Sequence, residues 1–261
     1  MSKRTADDID STSALKSGLA VLFKDGQYSD LIIHCGDDRH KVHKGAVCAQ
    51  SSFFDTARNG DFDEARSGLV TLHADDPAVV SAMLSHMYTF DYEVKLTDND
   101  TTETETHRLL FHANVYAMGE KGAHSVKDAA RKKFREAVQS QWSEAIFPDA
   151  VKLVYETTPQ NDRGLRNVVT KLAAGHAREL LTADNDRFRT MMGQVADFGR
   201  DLSMELAFLP QVGKDYPAYE CPMCERVFTL KDQSNVGKFH CPECNRLRWV
   251  NQWEKYRYIF E

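Results

Sequence analysis

The sequence has no long hydrophobic run. No stretch approaches the roughly 18 apolar residues that a bilayer-crossing helix needs, so no membrane span is expected. The first apolar segment, Ala14–Phe23, is interrupted by Lys16 and followed by Lys24, so no signal peptide is expected there. A basic excess is also missing. With 33 Lys and Arg against 39 Asp and Glu, the net charge of −6 excludes a chain that binds polyanions over its whole surface. Cysteine is scarce, at six residues. Cys35 and Cys48 stand alone in apolar segments, and the other four form two Cys-x-x-Cys pairs. That usage fits a metal in a reducing compartment rather than a disulfide framework, and so an intracellular protein of the cytoplasm, the nucleus or both. The histidines are scattered, and none pairs with an acidic residue at metal-ligand spacing. The stretch Ser29–Tyr92 contains no nucleophile–base pair and no phosphate loop. The expectation is a non-enzymatic chain without a small-molecule substrate.

What is present is enough apolar material to build cores: 42% of 261 residues, room for one large domain or two to three small ones. The most patterned stretch is residues 29–92. Asp30–Cys35 reads as a strand, Gly36-Asp37-Asp38 as a turn, and Arg39–Val42 as a returning strand. Lys44–Gln50 reads as helical, and Ser51 is placed to cap a helix over Ser52–Asn59. Val70–His73 reads as a third strand. Asp76-Pro77 then opens a helix in which Val80, Met83, Leu84, Met87 and Tyr88 recur at helical spacing, so that one face is buried.

Ser29-Asp30-Leu31, His43-Lys44, Ser51-Ser52-Phe53-Phe54, Phe62-Asp63-Glu64 and Met87-Tyr88 occur in the order and spacing of the BTB/POZ family, which this stretch resembles. Two residues depart from the family pattern: Val47 stands where Leu is usual, and Gly45 weakens the first helix slightly. The resemblance implies an α+β protein-interaction module that commonly dimerises. It also implies that Asp30 and Lys44 correspond to the family's charged pair near the dimer interface. Residues 1–28 read as a polar tail and a helix over Ser11–Lys24. Leu15, Leu19, Leu22 and Phe23 share one side of that helix. In BTB dimers such a helix often packs on the partner chain, which makes Leu15 and Leu19 interface candidates; the alternative is a helix packed on its own domain. Phe62 and Glu64 match the apolar-x-Glu pattern carried by BTB adaptors of the cullin-3 ubiquitin ligase. There an exposed apolar knob fills a partner pocket beside a carboxylate that accepts hydrogen bonds.

Residues 93–106 are rich in Asp, Thr and Glu and read as a solvated loop or linker. Residues 107–210 are helical by pattern, with long segments over Leu165–Leu181 and Phe188–Phe208 and short connections that favour a bundle. Tyr116-Ala117-Met118-Gly119-Glu120-Lys121 resembles the start of the helical, BACK-like extension that follows many fungal BTB domains. Gly122 stands where that family has Tyr. Lys132, Lys133 and Arg135 read as a solvated helix face, because Asp128 and Glu136 interleave with them.

Residues 217–261 carry the clearest chemistry. Cys221-Pro-Met-Cys224 and Cys241-Pro-Glu-Cys244 are two knuckles, each able to present two thiolates to one ion. Together they suit a tetrahedral zinc site. With Arg226–Leu230, Lys238–His240 and Arg246–Val250 as strands, the segment looks like a zinc ribbon. Four thiolate ligands leave no open position for water, so the expected zinc is structural. The formal charge of −2 is offset by Arg226, Lys238, Arg246 and Arg248; His240 is the competing ligand considered. From Tyr219 to Glu261, seven basic residues against six acidic ones leave +1, so nucleic acid is not the expected partner. The aromatic tail (Trp249, Trp253, Tyr256, Tyr258, Phe260) is expected to pack the ribbon on the helical region or on a partner. The whole reads as a fungal-type BTB adaptor or scaffold that recruits a target to a cullin-3 ligase, homodimerises, or both. The rival reading is a nuclear transcription regulator in which the BTB unit dimerises and the ribbon contacts DNA.

Overall fold

The structure is a computed structural model that describes residues 6–59, 67–94, 101–143, 145–182, 184–208, 218–229 and 238–258. It divides into two compact units, Met1–Gly199 and Arg200–Glu261. The fold is α+β.

The first unit opens with helix α1 (Ala6–Asp25), which begins earlier than the sequence pattern indicates. Strand β1 (Leu31–Cys35) buries Leu31, Ile33 and Cys35 on one face, as its alternation requires. It pairs antiparallel with β2 (Asp38–Val42) and parallel with β3 (Leu69–Thr71), so β1 is central. Between β2 and β3 lie α2 (Lys44–Val47), a 3-10 turn over Cys48–Gln50, and α3 (Ser52–Asn59). Ser51 caps α3, accepting from the Phe54 N–H at 3.4 Å, and also donates its hydroxyl to the Lys121 carbonyl at 2.6 Å. Helix α4 (Pro77–Thr89) begins at Asp76, whose carboxylate accepts from the N–H groups of Ala78 and Val79. Its sequence repeats on one face, yet Val79, Val80, Ala82, Met83, Leu84, His86, Met87 and Tyr88 are all buried. α4 is therefore the central helix of the unit and not a surface one. Helix α1 packs across it, with Phe23 stacked on Tyr88 at 4.8 Å.

His43 ties this layer together. Its Nε2 lies 2.6 Å from the Gln27 carbonyl, which can only accept, so Nε2 carries the proton. Nδ1 then accepts from the Tyr88 hydroxyl at 2.9 Å, and that same oxygen accepts the His43 N–H at 2.7 Å.

Helix α5 (Thr101–Met118) starts inside the segment read as loop. Composition signals polarity there, but extending an existing helix adds a hydrogen bond per residue without a new nucleus. α5 pairs with α6 (His124–Gln141), and α7 (Phe147–Thr157) packs on α5. The run Leu165–Leu181 is two helices, α8 (Gly164–Gly175) and α9 (Ala177–Leu180), broken at His176. The run Phe188–Phe208 likewise splits into α10 (Asp186–Gln194) and α11 (Ala196–Phe208) at Val195, whose ψ of 74° is not helical. In both runs the apolar period carries across a break that only backbone angles reveal.

The second unit holds β4 (Ala218–Glu220), β5 (Val227–Thr229), β6 (Lys238–His240), β7 (Leu247–Trp249), the short helix α12 (Val250–Trp253) and β8 (Arg257–Tyr258). The strands form one sheet of order β5-β4-β8 and a separate β6-β7 hairpin, all antiparallel. Tyr219, Phe228, Phe239 and Trp253 form the core. Trp253 is fully buried, stacks on Phe239 at 5.2 Å, meets Phe228 edge-on at 5.1 Å, and donates its indole N–H to the Phe239 carbonyl. The aromatic tail was expected to fasten this unit to another surface. Trp253 instead makes the unit's own centre, because so small a segment has few other apolar side chains to bury.

Candidate functional site

Each cysteine pair is held by the same backbone device. The Cys221 N–H donates to the Arg226 carbonyl, and the Glu225 N–H returns to the Cys221 carbonyl. The second knuckle repeats these bonds from Cys241 to Arg246 and from Asn245 to Cys241. Closing so tight a turn requires a left-handed residue, supplied by Glu225 (φ 57°) and Asn245 (φ 56°). Within each knuckle the amides converge on the first sulfur: Met223 and Cys224 on Cys221, Glu243 and Cys244 on Cys241. Cys221 and Cys241 are buried, Cys224 is half-buried, and Cys244 is exposed.

The four sulfurs lie within 4.8 Å of one another, with Cys221–Cys244 at 3.6 Å and Cys224–Cys241 at 3.5 Å. Bonds of about 2.3 Å in a tetrahedron would set sulfurs about 3.8 Å apart, so this donor set fits a single metal ion. Its electrostatics suit one. Burial opposes ionisation of Cys221, but the Cys224 and Met223 amides bring its pKa down to about 7. Burial and the neighbouring thiols push Cys224 up to about 12, and burial raises Cys241. Four adjacent thiolates cannot coexist without a cation. His240 is not among the donors; its Nδ1 lies 3.0 Å from the Asn245 carbonyl. Three of the four basic residues expected to balance the site have other engagements. Arg226 pairs with Glu205 at 3.4 Å, Lys238 lies over Trp249, and Arg248 lies over Tyr256 and Trp253.

The sequence reading did not see that the two knuckles are copies. Residues 218–229 superpose in pattern on 238–249 at an offset of twenty: Tyr219 on Phe239, Cys221 on Cys241, Pro222 on Pro242, Cys224 on Cys244, Arg226 on Arg246. Comparing the chain with itself would have exposed the repeat.

In the first unit, Asp30 meets Lys44 through the backbone: its Oδ1 accepts the Lys44 N–H at 2.7 Å, capping the start of α2. Leu15 is 64% exposed and Val21 55% exposed on α1, while Leu19 is half-buried. Phe62 and Glu64 lie outside the described residues. Beside the first half of α3 runs an open groove of about 740 Å³, lined by Phe53, Val79, Asn114, Ala117, Met118 and Lys121 among others. Lys121 spans it, 4.7 Å from the Phe53 ring centre and 3.4 Å from Asp75.

Residues 19–129 match the family model of the BTB/POZ domain. This part of the chain is a BTB/POZ domain. Among solved structures the chain is similar to the BTB domain of zebrafish PATZ1, at 16% identity and a TM-score of 0.37, over 52% of this chain and 98% of that one. Comparison with curated proteins found no match. The BTB/POZ match runs from within α1 into α6, either side of the 29–92 core read from motifs. BTB/POZ domains act through protein–protein contacts. No helix among the described residues is long and apolar enough to cross a membrane.

Two further polar centres in the first unit were invisible in sequence. Asp162 accepts from the Tyr116 hydroxyl at 2.7 Å and the Gly164 N–H at 2.9 Å, and pairs with Lys127 at 2.7 Å; Lys127 also pairs with Glu120. Burial opposes ionisation of Asp162, but Lys127, Tyr116 and Gly164 hold its pKa down to about 2. Arg166 is buried and donates to the carbonyls of Tyr155 and Thr158, capping the C-terminus of α7 from the neighbouring α8. Both centres join residues from separate elements, which no local spacing rule reports.

Proposed function

We propose that this protein is a non-catalytic adaptor or scaffold. Its BTB/POZ domain assembles with a second copy, with cullin-3, or with both, and its four-cysteine unit is a zinc ribbon held by one structural ion. The observation that carries the reading is the pairing of a BTB/POZ domain with a separate unit whose four thiols supply a closed donor set. A tetrahedron filled by protein sulfur leaves no position for a reacting water. The dimer reading draws support from the exposed Leu15 on α1; Leu19, Asp30 and Lys44 are its other candidate residues. The cullin reading draws support from Phe62 and Glu64 in the sequence and from the groove beside α3.

The test is affinity purification of the full chain alongside a Phe62→Ala, Glu64→Lys double variant. The variant should lose co-purifying cullin-3 while keeping its circular dichroism spectrum. Equal capture would remove the adaptor reading. One observation favours the second reading, a nuclear regulator whose ribbon contacts DNA: Trp249 is 51% exposed with the Lys238 ammonium 4.1 Å above it. A salt-dependent gel shift with random duplex DNA would carry that reading forward.

A further inference from the structure

The internal repeat of the four-cysteine unit is filled unequally. In an antiparallel ladder, alternate residues bond inward and outward. The Cys221 and Cys241 N–H groups both bond inward, to Arg226 and Arg246. Tyr219 and Phe239 therefore face their hairpin partners, while residues 218, 220, 238 and 240 turn their N–H and C=O groups away. At β4 this outward edge is occupied: β8 lies along it antiparallel, with Ala218 opposite Tyr258, and Ala218 is buried. At β6 the corresponding edge has no strand beside it among the described residues, and Lys238 and His240 are exposed. The other margin of that hairpin is differently occupied, since the outward N–H of Trp249 donates to Gln252 Oε1.

The charge of the open edge is also specific. β6 contains Lys238 and no acidic residue, and Arg246, just before β7, is exposed; Arg248 belongs to the opposite face, over Trp253 and Tyr256. Lys238 and Trp249 are cross-strand partners on the outer face, with the ammonium 4.1 Å from the ring centre.

We propose that the outer edge of β6 is a docking site for an extended segment of another protein, added antiparallel as β8 is added to β4 and carrying an acidic side chain opposite Lys238. Main-chain hydrogen bonds to residues 238 and 240 would supply affinity, and the Lys238–Trp249 pair would select acidic over basic segments. The proposal requires the metal-folded unit but not the cullin contact, so the two can fail separately.

The probe is a synthetic peptide of alternating glutamate and valine, titrated calorimetrically into the full-length, metal-loaded protein. Saturable binding is expected. Lys238→Glu should weaken it about ten-fold with metal content unchanged, and should in turn favour a second peptide in which lysine replaces each glutamate. Methylating the peptide nitrogens that face β6 should abolish binding to the wild type, an arm that decides the matter even if the variant loses its metal. Absence of binding by protein verified to hold its ion would overturn the proposal. So would equal affinity for the methylated peptide or an unchanged affinity of a metal-loaded Lys238→Glu variant. Displacement of the peptide by single-stranded DNA with quenching of Trp249 fluorescence would also sink it, in favour of a nucleic-acid surface.

Discussion

Gly122 shows how one residue can be dictated by a neighbour far along the chain. Its φ is +78°, and a Cβ built there would lie 2.0 Å from Ser52 Oγ and 2.8 Å from the Ser52 nitrogen. A tyrosine could not occupy it. Gly122→Ala should lower unfolding free energy by about 1 to 3 kcal/mol in a denaturant titration, from strained backbone and from contact with a helix start that cannot retreat. His112 makes a different demand. It is buried, its Nδ1 lies 2.9 Å from the Tyr92 hydroxyl, and burial, then Lys133 and Arg108, hold its pKa down to about 4. The unfolded chain takes up that proton near pH 6.5, before the folded chain does. Stability from neutral His112 is therefore complete above about pH 6.5 and lost progressively as pH falls to about 4. Unfolding free energy measured against pH should show that slope, and His112→Gln should flatten it.

The knuckle is the element whose behaviour can be tested most directly. Both copies need a left-handed residue after the second cysteine, but they fill it differently. Asn245 tolerates that conformation through its short polar side chain, whereas Glu225 pays a steric penalty of about 1 kcal/mol. Glu225→Gly should thus raise the melting temperature of the metal-loaded protein slightly, and Asn245→Val should lower it and reduce bound metal; atomic emission and thermal melts would check both. Elements elsewhere follow the same division between local and borrowed stability. α4 carries its own N-cap in Asp76, which the sequence shows, whereas α7 borrows its C-cap from Arg166, in the first turn of α8. Helix type was legible wherever apolar residues recur. Helix ends at His176 and Val195, and the early start at Thr101, were not, because periodicity is blind to a change of backbone angle between two in-phase runs.

For the molecule as a whole, the two units should part company when metal is withdrawn. Structural zinc in such units contributes about 10 to 16 kcal/mol of apparent binding free energy, more than the whole stability of most small domains. Chelation of the full chain should therefore abolish the near-ultraviolet signal of buried Trp253 while leaving the BTB/POZ helices folded by far-ultraviolet dichroism. Acidification should do the same by another route. Cys224 and Cys241, whose thiols are held protonated without a cation, must release protons on binding, so affinity falls as pH falls. Loss of both units together on chelation would show that the metal holds more than its own segment.

The sequence by itself determined the thiol donors and the order of elements: four cysteines in two pairs, and a strand–helix order fitting the BTB/POZ domain. Those features are legible because they rest on residue type and short spacing. Only the tertiary structure decided that Trp253 is the centre of the four-cysteine unit, that Arg166 and Asp162 join separate helices, and that β8 lines one edge of the repeat while no strand among the described residues lines its twin. Such outcomes depend on which distant surfaces meet, and the hydrogen-bonding and burial that fix them leave no period in the chain.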